Sequence, residues 1–381
     1  MSMLNLASDS VNKFTMALYS KLVINKPKEN MFYSPASIYV ALAMTYAGTK
    51  GNTAKEIEQV MNWNKPETVH EMMHSLQESI LSTSGKCSGI ELSLANRLWA
   101  QESYPILKEY TDILQSYYKA EMGAADFVSH TAEARQTINQ WIKEETNDKI
   151  TDLIKDGVLT AATRLVLTNA VYFKGFWEKQ FKKGNTHTGD FKVSKTKTIK
   201  IKMMNKTDRY LYGRNEELSC QVLKLPYKEN KMAMIILLPH EVDGLVKLEG
   251  KLNAEYIRKC DKMMSNESVE VSLPKFKLNC QFNMKEILSQ LGICDLFHVD
   301  NADLSGVTGD RDLYVSHIIH QAFVDVNEEG TEAAAATAAV VNARRMPLPP
   351  ELFRADHPFL FVIQDCESGA ILFLGRVVNP E

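Results

Sequence analysis

His70, Glu71 and His74 stand in the spacing H-E-x-x-H, which on a helix puts two imidazoles on one face for zinc and offers the glutamate as a general base. That chemistry would make the chain a zinc metalloprotease. No third histidine follows at the spacing that completes a metzincin site, and the competing reading is a polar helix face. A nucleophile triad has less to stand on. The chain has no G-x-S-x-G, its cysteines lie outside nucleophile contexts, and Asp356-His357 directly before Pro358 reads as a strand start. Neither a G-x-G-x-x-G nor a P-loop occurs, so nucleotide chemistry has no support. The lysines of FKVSKTKTIKIK (Lys192, Lys195, Lys197, Lys200, Lys202) could hold a polyanion such as a glycosaminoglycan, but their alternation also describes a solvated strand face.

The elements that must position any of these groups come from composition and pattern. The chain has 381 residues, 45% hydrophobic and 24% charged, enough apolar content for a large core. Its 44 Lys plus Arg against 47 Asp plus Glu give a net charge of −3, with no global positive field for nucleic acid or anionic membrane. No apolar run is long enough to span a bilayer, and the first residues lack the continuous apolar stretch of a secretion signal. With Met1 as the true start the expected location is cytoplasmic; extracellular is the alternative, in which case Asn205 and Asn266 head glycosylation triplets. The six scattered cysteines read as reduced, mostly buried thiols.

Apolar residues favour a helical period from residue 8 to about 155, as in Ile138, Trp141 and Ile142. After Arg164 the pattern turns to short β-branched and aromatic runs, among them RLVLTNAVYF, MAMIILLP, QAFVDVN and AILFLGRVV. Helices early and strands late predict an α+β fold with a mixed or antiparallel sheet, in one domain covering 1–381.

One segment departs from this pattern. Residues 328–350 read EEGTEAAAATAAVVNARRMPLPP, with seven alanines between 333 and 343 and three prolines after them. A connection this long between two strands is uncommon unless it has a function. Taken as a latent strand, it puts Thr331, Ala333, Ala335, Thr337 and Ala339 on one face, all small, and Glu332, Ala334 and Ala336 on the other. A strand entering a packed sheet needs small inward groups, because overpacking costs about 1–3 kcal/mol per site. Gly330 supplies a pivot at the start.

The blocks NMFYSPASI, TNAVYFKGFWE, LPKF, EEGTEAAAAT, ADHPFLF and FLGRVVNP occur in an order that resembles the serpin (serine protease inhibitor) family, and the likeness runs over essentially the whole chain. The wording of ADHPFLF is most similar to the ovalbumin-like (clade B-like) group. The resemblance implies a metastable fold of three β-sheets and about nine helices with an exposed reactive-centre loop at about 328–350. It further implies no enzyme but an inhibitor acting as a suicide substrate, for which serpin loop insertion is a known instance of strand addition. A protease would attack the loop, become esterified, and be carried off as the hinge (Gly330, Thr331, Glu332, Ala333, Ala334, Ala335, Ala336, Thr337) enters the large sheet.

By the same resemblance the residue contributing the scissile carbonyl is the seventeenth counted from Glu328, which is Arg344. An arginine there suits the carboxylate-floored pocket of trypsin-like serine proteases, with cleavage at Arg344-Arg345 and Arg345 as the alternative register. Ser34, Ser37, Asn169 and His320 match the family's shutter, with His320 making opening acid-sensitive. Trp177, Lys275 and Glu328 match the breach, where Lys275 is expected to pair with Glu328. The expected partner is a trypsin-like protease in covalent complex with a monomeric inhibitor; no cofactor is implied, a glycosaminoglycan aside. The alternative within the family is a non-inhibitory member serving storage, chaperoning or carriage, from which small residues at the inward hinge sites distinguish this chain.

Overall fold

In the computed structural model, residues 2–83, 89–329 and 349–381 are described. Ten α-helical segments occur among them: α1 (Met3–Asn25), α2 (Pro35–Tyr46), α3 (Gly51–Met61), α4 (Val69–Thr83), α5 (Lys108–Tyr118) and α6 (Thr131–Glu145) precede residue 150. Later come α7 (Leu245–Glu249), α8 (Ala254–Met263), α9 (Met284–Leu291) and α10 (Ser305–Thr308). The strands are β1 (Met31–Tyr33), β2 (Ile90–Gln101), β3 (Met122–Ala125), β4 (Leu165–Gly175), β5 (Thr186–Ser194), β6 (Lys197–Asn215) and β7 (Cys220–Pro226). They continue with β8 (Met232–Pro239), β9 (Ser265–Pro274), β10 (Phe276–Asn283), β11 (Val315–Val326), β12 (Glu351–Arg354), β13 (Phe359–Asp365) and β14 (Ile371–Val377). The fold is α+β, with four more helices in the second half than the change of pattern after Arg164 announces.

The first sheet has the order β10-β11-β4-β2-β3. Its central pair, β11 and β4, runs parallel with His320 opposite Asn169, and β10 and β2 flank it antiparallel. The near-continuous apolar run of β4 has a physical reason: Leu165, Leu167, Val171 and Phe173 join the main core, while Val166 and Ala170 join a second core under α6 with Ile138 and Ile142. A strand buried on both faces shows no polar alternation. The remaining strands follow the order β1-β14-β13-β8-β7-β6-β9-β12, with β5 on the flank of β6. Strand β6 is 19 residues long and pairs with β5, β9 and β7 in succession, so the second and third expected sheets are joined through it.

Two corrections to the sequence reading concern the first 155 residues and the thiols. Strand β2, 12 residues long, lies in the stretch assigned to helices. Its apolar residues Leu92, Leu94, Leu98 and Ala100 repeat every second position, a signal that a helix-length window averages away. Cys220 and Cys260 are buried, and burial pushes the Cys220 thiol up to about 12, but Cys294 and Cys366 are exposed. Those four and Cys280 carry free thiols, and Cys87 lies outside the described residues.

The C-terminal strands are locked inside. A Cβ on Gly375 would come within 2.2 Å of the Phe361 ring, so only glycine lets β14 lie against β13 there. Beside it the fully buried Arg376 guanidinium meets Glu249 Oε1 at 3.2 Å and donates to the carbonyls of Lys26 and Glu29. The charge is therefore paired and saturated with acceptors, as a buried arginine must be. No described helix is long and apolar enough to cross a membrane.

Candidate functional site

A row of polar side chains crosses the first sheet beneath the N-terminus of α2. The register places His320 of β11 opposite Asn169 of β4, and Asn169 opposite Asn96 of β2, all on the face that packs into the main core. Over the row sits Ser34, the N-cap of α2, followed by Pro35 in the first turn; the Ser34 hydroxyl accepts from the Ser37 N–H at 3.2 Å. The same hydroxyl donates to the Leu372 carbonyl at 2.8 Å, tying α2 to β14.

The hydrogen-bond directions follow from one group that can only donate. The Ser34 N–H points at His320 Nε2 at 3.1 Å, so Nε2 accepts and the imidazole is neutral. Nδ1–H then donates to Asn169 Oδ1, and the Asn169 amide donates to Ser37 Oγ at 2.8 Å and to Asn96 Oδ1. Ser37 Oγ donates in turn to Asn96 Oδ1 at 3.0 Å. Burial of His320, with no carboxylate beside it, pulls its pKa from 6.5 down to about 3. The structure thus brings Ser34, Ser37, Asn169 and His320 into one chain of bonds. Asn96 belongs to it and was missed in the sequence, although a signal exists: it is the polar member of the otherwise apolar parity Leu92, Leu94, Leu98, Ala100.

At the end of β11, where the chain leaves the sheet, a second cluster forms. Glu328 is 5% exposed; its carboxylate lies 2.7 Å from Lys275 Nζ and accepts from the Thr186 hydroxyl at 2.8 Å. Burial opposes its charge, but these two donors outweigh burial and hold the carboxyl below its usual range. The Trp177 indole N–H donates to the Asn327 carbonyl at 2.9 Å, and its ring stacks on Tyr227 at 4.7 Å and 9°. Lys183 adds an exposed pair with Glu329 at 2.5 Å. Thr186 and Lys183 were not among the residues singled out in the sequence.

The hinge residues Gly330, Thr331, Glu332, Ala333, Ala334, Ala335, Ala336 and Thr337, and the pair Arg344 and Arg345, lie outside the described residues. The chain is described again from Pro349, and β12 pairs parallel with β9 at the border of the second ladder. The segment 330–348 therefore begins on one sheet and ends on the other.

The other candidates fall elsewhere. His70 and His74 share a face of α4, but it packs on α5: His70 Nδ1 meets Tyr118 Oη at 2.7 Å and His74 Nδ1 donates to the Tyr117 carbonyl at 3.2 Å. Glu71 faces solvent, and among the described residues no three His, Cys, Asp or Glu side chains gather into a metal-holding group. The exposed lysines of β5 and β6 meet acids: Lys195 pairs with Asp243 and Lys200 with Asp190, each at 2.7 Å, and Lys192 with Asp356 at 3.8 Å. That pairing weakens the field a polyanion would need. Asn205 donates its amide to the Asn185 and Met203 carbonyls, whereas Asn266 is exposed at the start of β9.

Comparisons with known proteins agree with this geometry. A family model described as "Serpin (serine protease inhibitor)" matches residues 9–380. Human leukocyte elastase inhibitor is 41% identical over 379 residues, covering 98% of this chain and 99% of that one. The leukocyte elastase inhibitor of Xenopus tropicalis is 38% identical over 377 residues, with the same coverage. Among solved structures, uncleaved ovalbumin superposes with a TM-score of 0.90 at 33% identity, covering 98% of this chain and 99% of that one. Maspin superposes with a TM-score of 0.90 at 27% identity over 100% of both chains.

Proposed function

Because the chain belongs to the serpin family, whose members are inhibitors of serine proteases and not enzymes, we propose that it traps trypsin-like serine proteases as a covalent acyl-enzyme. The protease cleaves Arg344-Arg345, and the freed segment enters the first sheet between β4 and β11.

The observation that carries this reading is the parallel pairing of β4 with β11, joined to the direction in which the chain leaves β11. A segment that turns back at Gly330 and runs between those strands is antiparallel to both. It replaces one slanted parallel ladder with two antiparallel ones, adding a full set of backbone hydrogen bonds. The small residues Thr331, Ala333, Ala335 and Thr337 let it enter without overpacking the core beneath. The polar row of His320, Asn169 and Asn96 lies across the seam that must part, and the Lys275-Glu328 pair stands at its mouth.

Specificity rests on Arg344, whose guanidinium matches a carboxylate-floored pocket by a charge-assisted bidentate contact. Leukocyte elastase is the protease named by the inhibitors of similar sequence; the arginine pair is what directs this chain to trypsin-like enzymes instead. Incubation with trypsin followed by a denaturing gel tests the proposal. The expected result is an SDS-resistant complex, absent for Arg344→Ala, with the released peptide beginning at Arg345 by mass spectrometry. Clean cleavage with no complex would place the chain among carriers or storage proteins, and a complex that survives Arg344→Ala would move the reactive bond.

A further inference from the structure

Strand β3 pairs with Leu98–Gln101 of β2, and among the described residues no strand pairs with Ile90–Arg97 on that side. Beside this uncovered edge a cleft of about 330 Å³ opens between α4, α6 and the turn from α5 to β3. That volume falls at the small end of pockets that hold organic ligands. Its walls include Leu94, Asn96 and Arg97 of β2, Gln77 of α4 and Trp141 of α6.

Two polar atoms here are buried without a protein partner among the described residues: Arg97 Nε, a donor, and Gln77 Oε1, an acceptor. Arg97 is held in place by aromatic rings, its guanidinium carbon 4.7 Å from the Trp99 centroid and 5.2 Å from that of Trp141. Its carboxylate contact is loose: Glu121, 81% exposed, lies 3.8 Å away. An exposed pair at that distance contributes little and gives way to a better anion. Glu121 and Glu145 at the walls also set a limit on the ligand, because a second negative charge would meet carboxylates.

We propose that this cleft binds a small organic monoanion with a flat apolar body, its anionic group on Arg97 and a hydroxyl or amine on Gln77 Oε1, and that the bound ligand holds the first sheet closed. The second half rests on the loop-insertion reading. Asn96 lines the cleft and accepts from Ser37 and Asn169, so the ligand touches the polar row that spans the seam. Strands β2 and β4 pair from Ile90-Gly175 to Ala100-Leu165 and must move as a unit when the seam between β4 and β11 widens. A ligand fitted to the closed shape binds that state better and shifts the equilibrium toward it.

The test uses 6-hydroxynaphthalene-2-sulfonate, titrated calorimetrically into the intact protein. One site is expected, weakened about tenfold or more by Arg97→Gln, as loss of a charge-assisted hydrogen bond implies. Lys143→Gln, the same charge change elsewhere on α6, leaves affinity unchanged. Equal affinity in the parent and Arg97→Gln overturns the site. If Arg97→Gln does not fold, Glu121→Gln replaces it: removing the competing carboxylate tightens binding severalfold, and no tightening overturns the assignment. A heparin hexasaccharide that binds with the same dependence on Arg97 overturns the monoanion. In the presence of trypsin, saturating ligand raises the ratio of cleaved chain to covalent complex in the parent but not in Arg97→Gln. An unchanged ratio in a protein that does form complexes overturns the coupling; a protein that forms none leaves the calorimetry to decide the site.

Discussion

Acidification offers a sharp test of the polar row. His320 is neutral in the closed sheet because its Nε2 accepts from the Ser34 N–H, and its pKa there is about 3 against 6.5 when solvated. The proton it gains on opening sets the sign. The closed state's advantage is complete above pH 6.5 and drains away as pH falls from 6.5 toward 3, since only the opened or unfolded chain can protonate this ring. Linkage gives a loss of about 1.4 kcal/mol at pH 5.5 and about 2 kcal/mol at pH 5, where the closed state still excludes the proton. His317 and His70, both lowered by burial, add losses of the same sign, so the parent alone does not isolate the effect. The assay is therefore urea unfolding of the uncleaved protein and of His320→Gln at pH 7.5 and pH 5.0. The parent should lose about 2 kcal/mol more than the variant over that interval. A difference that stays constant within about 0.5 kcal/mol between the two pH values, a margin typical of the extrapolation, refutes the assignment of the proton to His320.

Three further outcomes are expected. Asn96→Leu strips the Ser37 hydroxyl of its acceptor and the Asn169 amide of one of two, lowering unfolding free energy by about 1–3 kcal/mol in urea; a loss near zero would mean water replaces the amide. Glu328→Ala and Lys275→Met each destabilise, but the double variant costs markedly less than their sum in a mutant cycle; additive losses would show that the 2.7 Å pair is not coupled. Thr331→Arg puts a charge on the inward face of the entering strand, which should turn the inhibitor into a substrate on the trypsin gel; undiminished complex would contradict the parity assigned to the hinge.

Legibility in the sequence followed how local each signal was. The long apolar runs of β4, β8, β13 and β14 announced themselves, since a strand buried on both faces is apolar throughout. Strand β12, four residues after two prolines, and β1, three residues, are too short for any period, and exist because neighbours at Val269–Ser272 and Leu374–Arg376 supply their bonds. The shutter and breach residues came from resemblance, not pattern: nothing in the spacing of Ser34, Asn169 and His320, up to 286 positions apart, says that they touch. Asn96 could have been found from parity alone, had β2 been recognised as a strand. The H-E-x-x-H on α4 shows the reverse, a compact motif whose two histidines went to tyrosines of α5 because that face packs inward.

The tether of residues 330–348 to two different sheets bears on how such a molecule is used. Once cut after residue 344, fifteen residues from Gly330 laid out as a strand reach about 50 Å, while the other new end stays beside β12. No thermal fluctuation brings those ends back within bonding distance, so the peptide bond cannot be resealed. Each copy is spent on one encounter, and protection becomes a matter of stock: the ratio of molecules present to proteases released, replenished only by new synthesis.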